Sequence, residues 1–104
     1  KEIKFMPEVK NARATRWLSV VLMEDANHDK IEDIVRSFSK ENIEVRPVWK
    51  PMHLQPVFEK AAFYHKVQKP VSSHLFEHGL CLPSGSDLSK NELKKIIQLL
   101  IKEY

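Results

Sequence analysis

Three side chains suited to holding a small molecule fall within eleven residues: Arg46, Trp49 and His53, in the stretch Arg46-Pro47-Val48-Trp49-Lys50-Pro51-Met52-His53-Leu54-Gln55-Pro56. A guanidinium offers a planar fork of donors to a phosphate or carboxylate. An indole offers a flat face to a ring or a sugar, and an imidazole switches between donor and acceptor near neutral pH. Pro47, Pro51 and Pro56 each fix their own φ and push the preceding residue toward extended geometry. The stretch is therefore read as a stiff extended run leaving a strand, with the three side chains held in fixed directions. The same residues also suit a purely structural crossover, with Trp49 packed on the core and Arg46 in a surface ion pair.

Other constellations are weaker. His74 and His78 stand four apart on an expected short helix, with Cys81 following. That spacing can chelate one metal ion, but a closed zinc site wants four ligands and no fourth is marked. Cys81 lies in an apolar run, which makes a thiol inert rather than nucleophilic. Ser84-Gly85-Ser86-Asp87 leads toward a helix start without forming a nucleophile elbow. No pair of carboxylates is marked out as acid and base. No catalytic residue and no metal ligand is assigned.

The elements that must position these groups follow from pattern. Trp17 to Met23 reads as a well-buried strand. Lys30 to Lys40 is a helix with Ile31, Ile34, Val35 and Phe38 on one stripe, Asn27 or Asp29 as cap, and Asn42 suited to a left-handed end. Ile43 to Val48 is a second strand, with Ile43, Val45 and Pro47 on one face. Val57 to His65 is a short helix or an ordered loop. Ser72 or Ser73 caps a short helix ending at Gly79, where a left-handed glycine is expected. Leu80 to Pro83 is a short strand. The last helix opens on a capping box, Ser89-Lys90-Asn91-Glu92, and carries Leu93, Ile96, Ile97, Leu100 and Ile101. Lys1 to Arg16 is an extended lead-in. The sum is a two-layer α/β domain of about three strands with helices on one face.

Composition sets the outer bounds. A chain of 104 residues is one domain with a modest core. Two glycines, Gly79 and Gly85, are too few for a glycine-rich phosphate loop or a dinucleotide fingerprint. A single cysteine forms no internal disulfide and fits a reducing, cytoplasmic setting. The net charge of +3 is spread over interspersed acids and bases, which argues against nucleic acid as a partner. No apolar run is long enough to span a bilayer. The opening at Lys1, without methionine, fits a piece of a longer polypeptide.

Two segments together resemble a known family. Arg46 to Pro56, followed by Leu80-Cys81-Leu82-Pro83-Ser84-Gly85-Ser86, is similar to the C-terminal part of DegT-type nucleotide-sugar aminotransferases. The nearest likeness is to enzymes that aminate UDP-linked 4-keto-6-deoxy hexoses on the way to bacillosamine-like sugars. Thr15-Arg16-Trp17-Leu18 and the Leu88-Ser89-Lys90-Asn91-Glu92-Leu93 helix start agree with it. The resemblance covers essentially the whole chain. It implies that residues 1–104 are the small C-terminal domain of a pyridoxal-phosphate enzyme of aminotransferase fold type I. The cofactor-bearing large domain, with its lysine, would be absent. It further implies ping-pong transfer of an amino group, from a donor such as glutamate, to a UDP-linked keto sugar, in a homodimeric parent. On this reading His53, Arg46 and Trp49 contact the sugar nucleotide, or Arg46 braces the segment. The isolated chain would bind no cofactor and would not transaminate. The contrasting expectation is a stand-alone interaction module without catalysis, using Trp49 and an uncovered sheet face.

Overall fold

The apolar run Ser19–Met23 forms a strand, β2, in the computed structural model, which describes residues 2–66 and 68–104. Its β-branched valines are stiff at χ1 and sit well on a pleated, half-buried surface. β2 lies between β1 (Ile3–Phe5) and the later strand β4 (Gly79–Leu82). The two-residue β3 (Arg46–Pro47) completes an entirely antiparallel sheet in the order β1-β2-β4-β3. The fourth strand is β1, inside the stretch read as lead-in. Three residues are too few to register as a period-two pattern, and pairing specifies them: Ile3 opposes Met23 and Phe5 opposes Val21. Lys1, at the start of that lead-in, is outside the described residues.

Register decides which face is buried. Val21 opposes Leu80, and Leu80 opposes Pro47, so all three point the same way. Against that face α1 (His28–Lys40) delivers Ile31, Ile34 and Phe38, and α3 (Lys90–Glu103) delivers Ile96 and Leu100. Val45 and Tyr104 close the same core. Between β3 and β4 runs α2 (Val71–His78), which meets α1 where the Phe76 and His28 rings lie 4.4 Å apart. The two-layer α/β reading holds.

The helix ends are built largely as the residue types dictate. Asn27 Oδ1 accepts from the Lys30 N–H at 2.9 Å, and Asn42 takes the left-handed conformation after α1 at φ 55°. The capping box of α3 is complete: Ser89 N–H donates to Glu92 Oε2 at 2.8 Å, and Glu92 N–H donates to Ser89 Oγ at 3.2 Å. Hydrogen bonds to the carboxyl from the Ser89 side chain and from its backbone N–H hold Glu92 below its ordinary range.

Four local expectations are corrected. The N-cap of α2 is Pro70, not Ser72 or Ser73, because a proline's fixed φ suits a helix start. Gly79 is extended, at φ −102° and ψ 140°, so α2 passes directly into β4 without a left-handed cap. The second strand shrinks to two residues, since the run from Ile43 finds a partner in β4 only at its end. Of the two readings of residues 57–65 the loop holds: short 3₁₀ turns occupy Met52–Leu54 and Pro56–Phe58, and irregular chain follows. On α3 the buried stripe is narrower than its apolar pattern. Ile96 and Leu100 face the core, whereas Leu93, Ile97 and Ile101, the adjacent helical line, are exposed.

Candidate functional site: a groove at the β3 edge

The stretch from Arg46 starts as an edge strand, a position that tolerates Pro47. Arg46 opposes Cys81, and so projects on the face away from the helices, where it pairs with Glu44. Pairing runs one residue beyond β3, since the Val48 N–H donates to Gly79 O at 3.1 Å. The chain then leaves the sheet, and the Trp49 indole stands 65% exposed.

Trp49 does not stand alone. The Trp17 ring is stacked with it, centroids 6.4 Å apart and planes 24° from parallel. Trp17 is 78% exposed, against the expectation that it begins a buried strand. The strand starts at Ser19 instead, because Arg16 adopts a left-handed φ of 54° and turns the chain just before it. The Trp17 carbonyl accepts from Ser84 Oγ at 2.9 Å, which ties this turn to the segment after β4.

Between these walls lies a groove of about 1,040 Å³ that wraps the β3 edge, with Trp17, Trp49, Arg46, Lys50, Pro83 and Lys95 among its lining. Its charges are unevenly matched. Lys95 Nζ lies 3.0 Å from Glu41 Oε2, and this hydrogen bond holds the Glu41 carboxyl low. Glu92 is engaged by Ser89. Arg46 has Glu44, while Lys50 makes no ion pair among the described residues. The Lys50 carbonyl accepts from Gln55 Nε2 at 3.2 Å, which braces the turn beyond it.

His53 goes elsewhere. From its 3₁₀ turn the half-buried ring places Nε2 2.9 Å from Ser73 Oγ, on buried Ser73 of α2. It stacks on Phe63 at 3.9 Å and 12°, and Phe63 in turn stacks on His65 at 5.2 Å. The fold thus brings Arg46 and Trp49 to one groove and turns His53 toward α2. Trp17 and Lys50 were missed as site residues. Their signals were the second tryptophan of the chain and a cation beside the first-noted one.

The remaining chemistry-bearing groups do not assemble. His74 Nε2 lies 3.0 Å from Glu24 Oε2, and the His74 and His78 rings are 4.5 Å apart. Among the described residues, no three histidines, cysteines or acids converge as a metal set. Burial pushes the Cys81 thiol up, away from the reactive thiolate. No helix among the described residues is long and apolar enough to cross a membrane.

The unit is an antiparallel α/β layer pair with an open groove at one sheet edge. The comparisons give the family. Residues 1–101 match the DegT/DnrJ/EryC1/StrS aminotransferase family, and the chain belongs to it. It is 41% identical over 100 residues to the "Putative pyridoxal phosphate-dependent aminotransferase EpsN" of Bacillus subtilis (strain 168), covering 95% of this chain and 25% of that protein. Its fold is similar to the PMP-form of the "Putative sugar aminotransferase Spr1654 from Streptococcus pneumoniae", with a TM-score of 0.82 at 22% identity over 97% of this chain and 25% of that one. The aminotransferase TlmJ from Streptoalloteichus hindustanus shares it too, with a TM-score of 0.73 at 17% identity, over 97% and 26% of the two chains. The chain spans about a quarter of the length of these relatives.

Pyridoxal phosphate needs a lysine held in a desolvated pocket. Among the described lysines, none is buried. None of the described lysines is therefore set in the kind of pocket that a covalent link to the cofactor needs.

Proposed function

We propose that this chain is the small C-terminal domain of a pyridoxal-phosphate-dependent aminotransferase that transfers an amino group to a nucleotide-linked keto sugar. The observation that carries the reading is the match to the aminotransferase family along residues 1–101, in a chain whose own groove offers Arg46 and an exposed Trp49. The large domain of the same polypeptide supplies the cofactor and its lysine, in a cytoplasmic, homodimeric parent acting in polysaccharide biosynthesis. The exposed line Leu93, Ile97 and Ile101 on α3 supports a chain made to pack against more protein. A donor such as glutamate provides the amino group, and a UDP-linked 4-keto sugar receives it.

Within that frame this chain binds and orients. Arg46 addresses phosphate, Trp49 offers a flat face, and His53 contacts the substrate from its anchored ring. The isolated chain does not transaminate. The test is to express the intact reading frame and assay amino transfer from glutamate to a UDP-4-keto sugar. His53→Ala is expected to raise KM or lower kcat, whereas Ser73→Ala, which frees the ring without removing it, is expected to have a smaller effect. Unchanged kinetics in His53→Ala would remove His53 from the site. An aldimine absorbance band in the isolated chain with added pyridoxal phosphate would overturn the division of labour.

A further inference from the structure

The chain holds its two largest rings in solvent on backbone that is fixed from both sides. Arg16 bears a side chain yet sits in the left-handed region at φ 54°, a conformation disfavoured for residues with a Cβ. It is tied down there: its Nη1 donates to Met6 O at 3.2 Å, and Nη2 lies 3.7 Å from Glu8 Oε1. The next residue, Trp17, has its carbonyl locked to Ser84. Trp49 is flanked by Pro47 and Pro51 and follows the Val48–Gly79 hydrogen bond. Neither tryptophan packs into this domain's own core: both stay largely exposed at the groove. Sparsely populated backbone conformations persist where their surroundings over-determine them, and they cluster at ligand sites.

We propose that the Trp17–Trp49 pair is a stacking platform for the base of a nucleoside diphosphate, with Lys50 and Arg46 beside it for the phosphates. The proposal rests on the nucleotide-linked substrate inferred above and states which part of it this chain grips. Every nucleobase presents a π-face, and base–aromatic stacking is a strong, sequence-tolerant contact. The charges of the groove favour the same end. Glu41 is matched by Lys95 and Glu92 by its capping role, so of the groove's cations Arg46, Lys50 and Lys95 it is Lys50, next to Trp49, that makes no ion pair among the described residues. Arg46 is held by Glu44 in an exposed ion pair, an interaction weak enough to yield to a phosphate.

The test uses the intact protein and isothermal titration with two probes, UDP and inorganic pyrophosphate. Trp17→Ala and Trp49→Ala are each expected to raise the Kd for UDP about five- to hundred-fold while leaving pyrophosphate unchanged. Trp17→Phe keeps a ring and is expected to stay within a few-fold of wild type. Lys50→Gln is expected to weaken both probes. Unchanged UDP binding in both alanine variants would overturn the platform while leaving sugar amination, assayed separately, intact. Equal losses for UDP and pyrophosphate, or a loss in Trp17→Phe as large as in Trp17→Ala, would also overturn it. Failure of the wild-type protein to bind UDP would refute both the platform and the nucleotide-linked substrate.

Discussion

A single added methyl group at Gly79 probes the joint that carries the groove. A Cβ built there would stand 2.3 Å from the Leu75 carbonyl oxygen and 2.5 Å from Val48 Cγ2. The backbone conformation, φ −102° and ψ 140°, suits alanine, so the penalty is steric rather than conformational. Overfilling a packed site costs about 1–3 kcal/mol. The upper end applies here, because a main-chain carbonyl of α2 cannot rotate away like a side-chain tip. Reduced freedom of the unfolded chain returns about 0.4–1 kcal/mol. The net is a loss of about 2 kcal/mol, which at a urea slope of about 1.5 kcal/mol/M lowers the unfolding midpoint by roughly 1.3 M. Val48 is the residue before Trp49, so any accommodation of the methyl also displaces the indole and should weaken ligand binding in the groove. Urea unfolding followed by far-UV circular dichroism reads the stability. Gly85→Ala is the control: its Cβ would meet only the flexible Asp87 carboxylate, at 2.7 Å, and should shift stability by less than about 0.5 kcal/mol. Equal midpoints for wild type and Gly79→Ala would refute the claim that close approach demands a glycine there.

Two further outcomes follow from the same geometry. Ser89→Ala removes the acceptor for the Glu92 N–H and should cost about 1 kcal/mol in urea unfolding, with amide exchange speeding up first in the opening turn of α3. Stability should fall at both ends of the pH range. Glu41, Glu77 and Glu92 are held low, chiefly by hydrogen bonds from Lys95, Lys69 and Ser89. Their contribution is present above the ordinary carboxylate range and is lost as pH falls below about 4. Cys81 is pushed up by burial, so the unfolded chain ionises first, and its contribution is lost as pH climbs past about 8.5. Thermal melts across pH read both arms, and Cys81→Ala should flatten the alkaline one.

The parts legible from sequence are those whose causes are local. Asn27, Asn42 and the Ser89–Glu92 box act within four residues, and the structure shows each where its chemistry demands. The core stripe of α1 was legible for the same reason. Elements defined by a distant partner were not. β1 is a strand because β2 runs beside it, and β3 ends where β4 ceases to pair. Gly79 was noticed for the wrong property: its neighbours Leu75 and Val48, not its φ, require the missing Cβ. Trp17 looked like core because tryptophan in an apolar run usually is. Its exposure depends on a left-handed Arg16 and a hydroxyl from residue 84, neither of which leaves a periodic trace.

The separation of His53 from Arg46 and Trp49 has the same origin, and it sharpens what the histidine can do. Three prolines suggest that the whole run stays extended, but the chain enters a 3₁₀ turn directly after Pro51, and His53 in that turn meets Ser73. A hydroxyl can donate or accept, so Ser73 permits either tautomer of the imidazole, and the choice fixes whether Nδ1 is an acceptor or a donor. The stacked Phe63 fixes the ring plane at the same time. A histidine held by a buried serine on one edge and a parallel ring on one face has given up its rotational freedom before any ligand arrives. The substrate contact proposed for His53 would draw on that preorganisation through Nδ1, and either tautomer would leave Ser73 hydrogen-bonded.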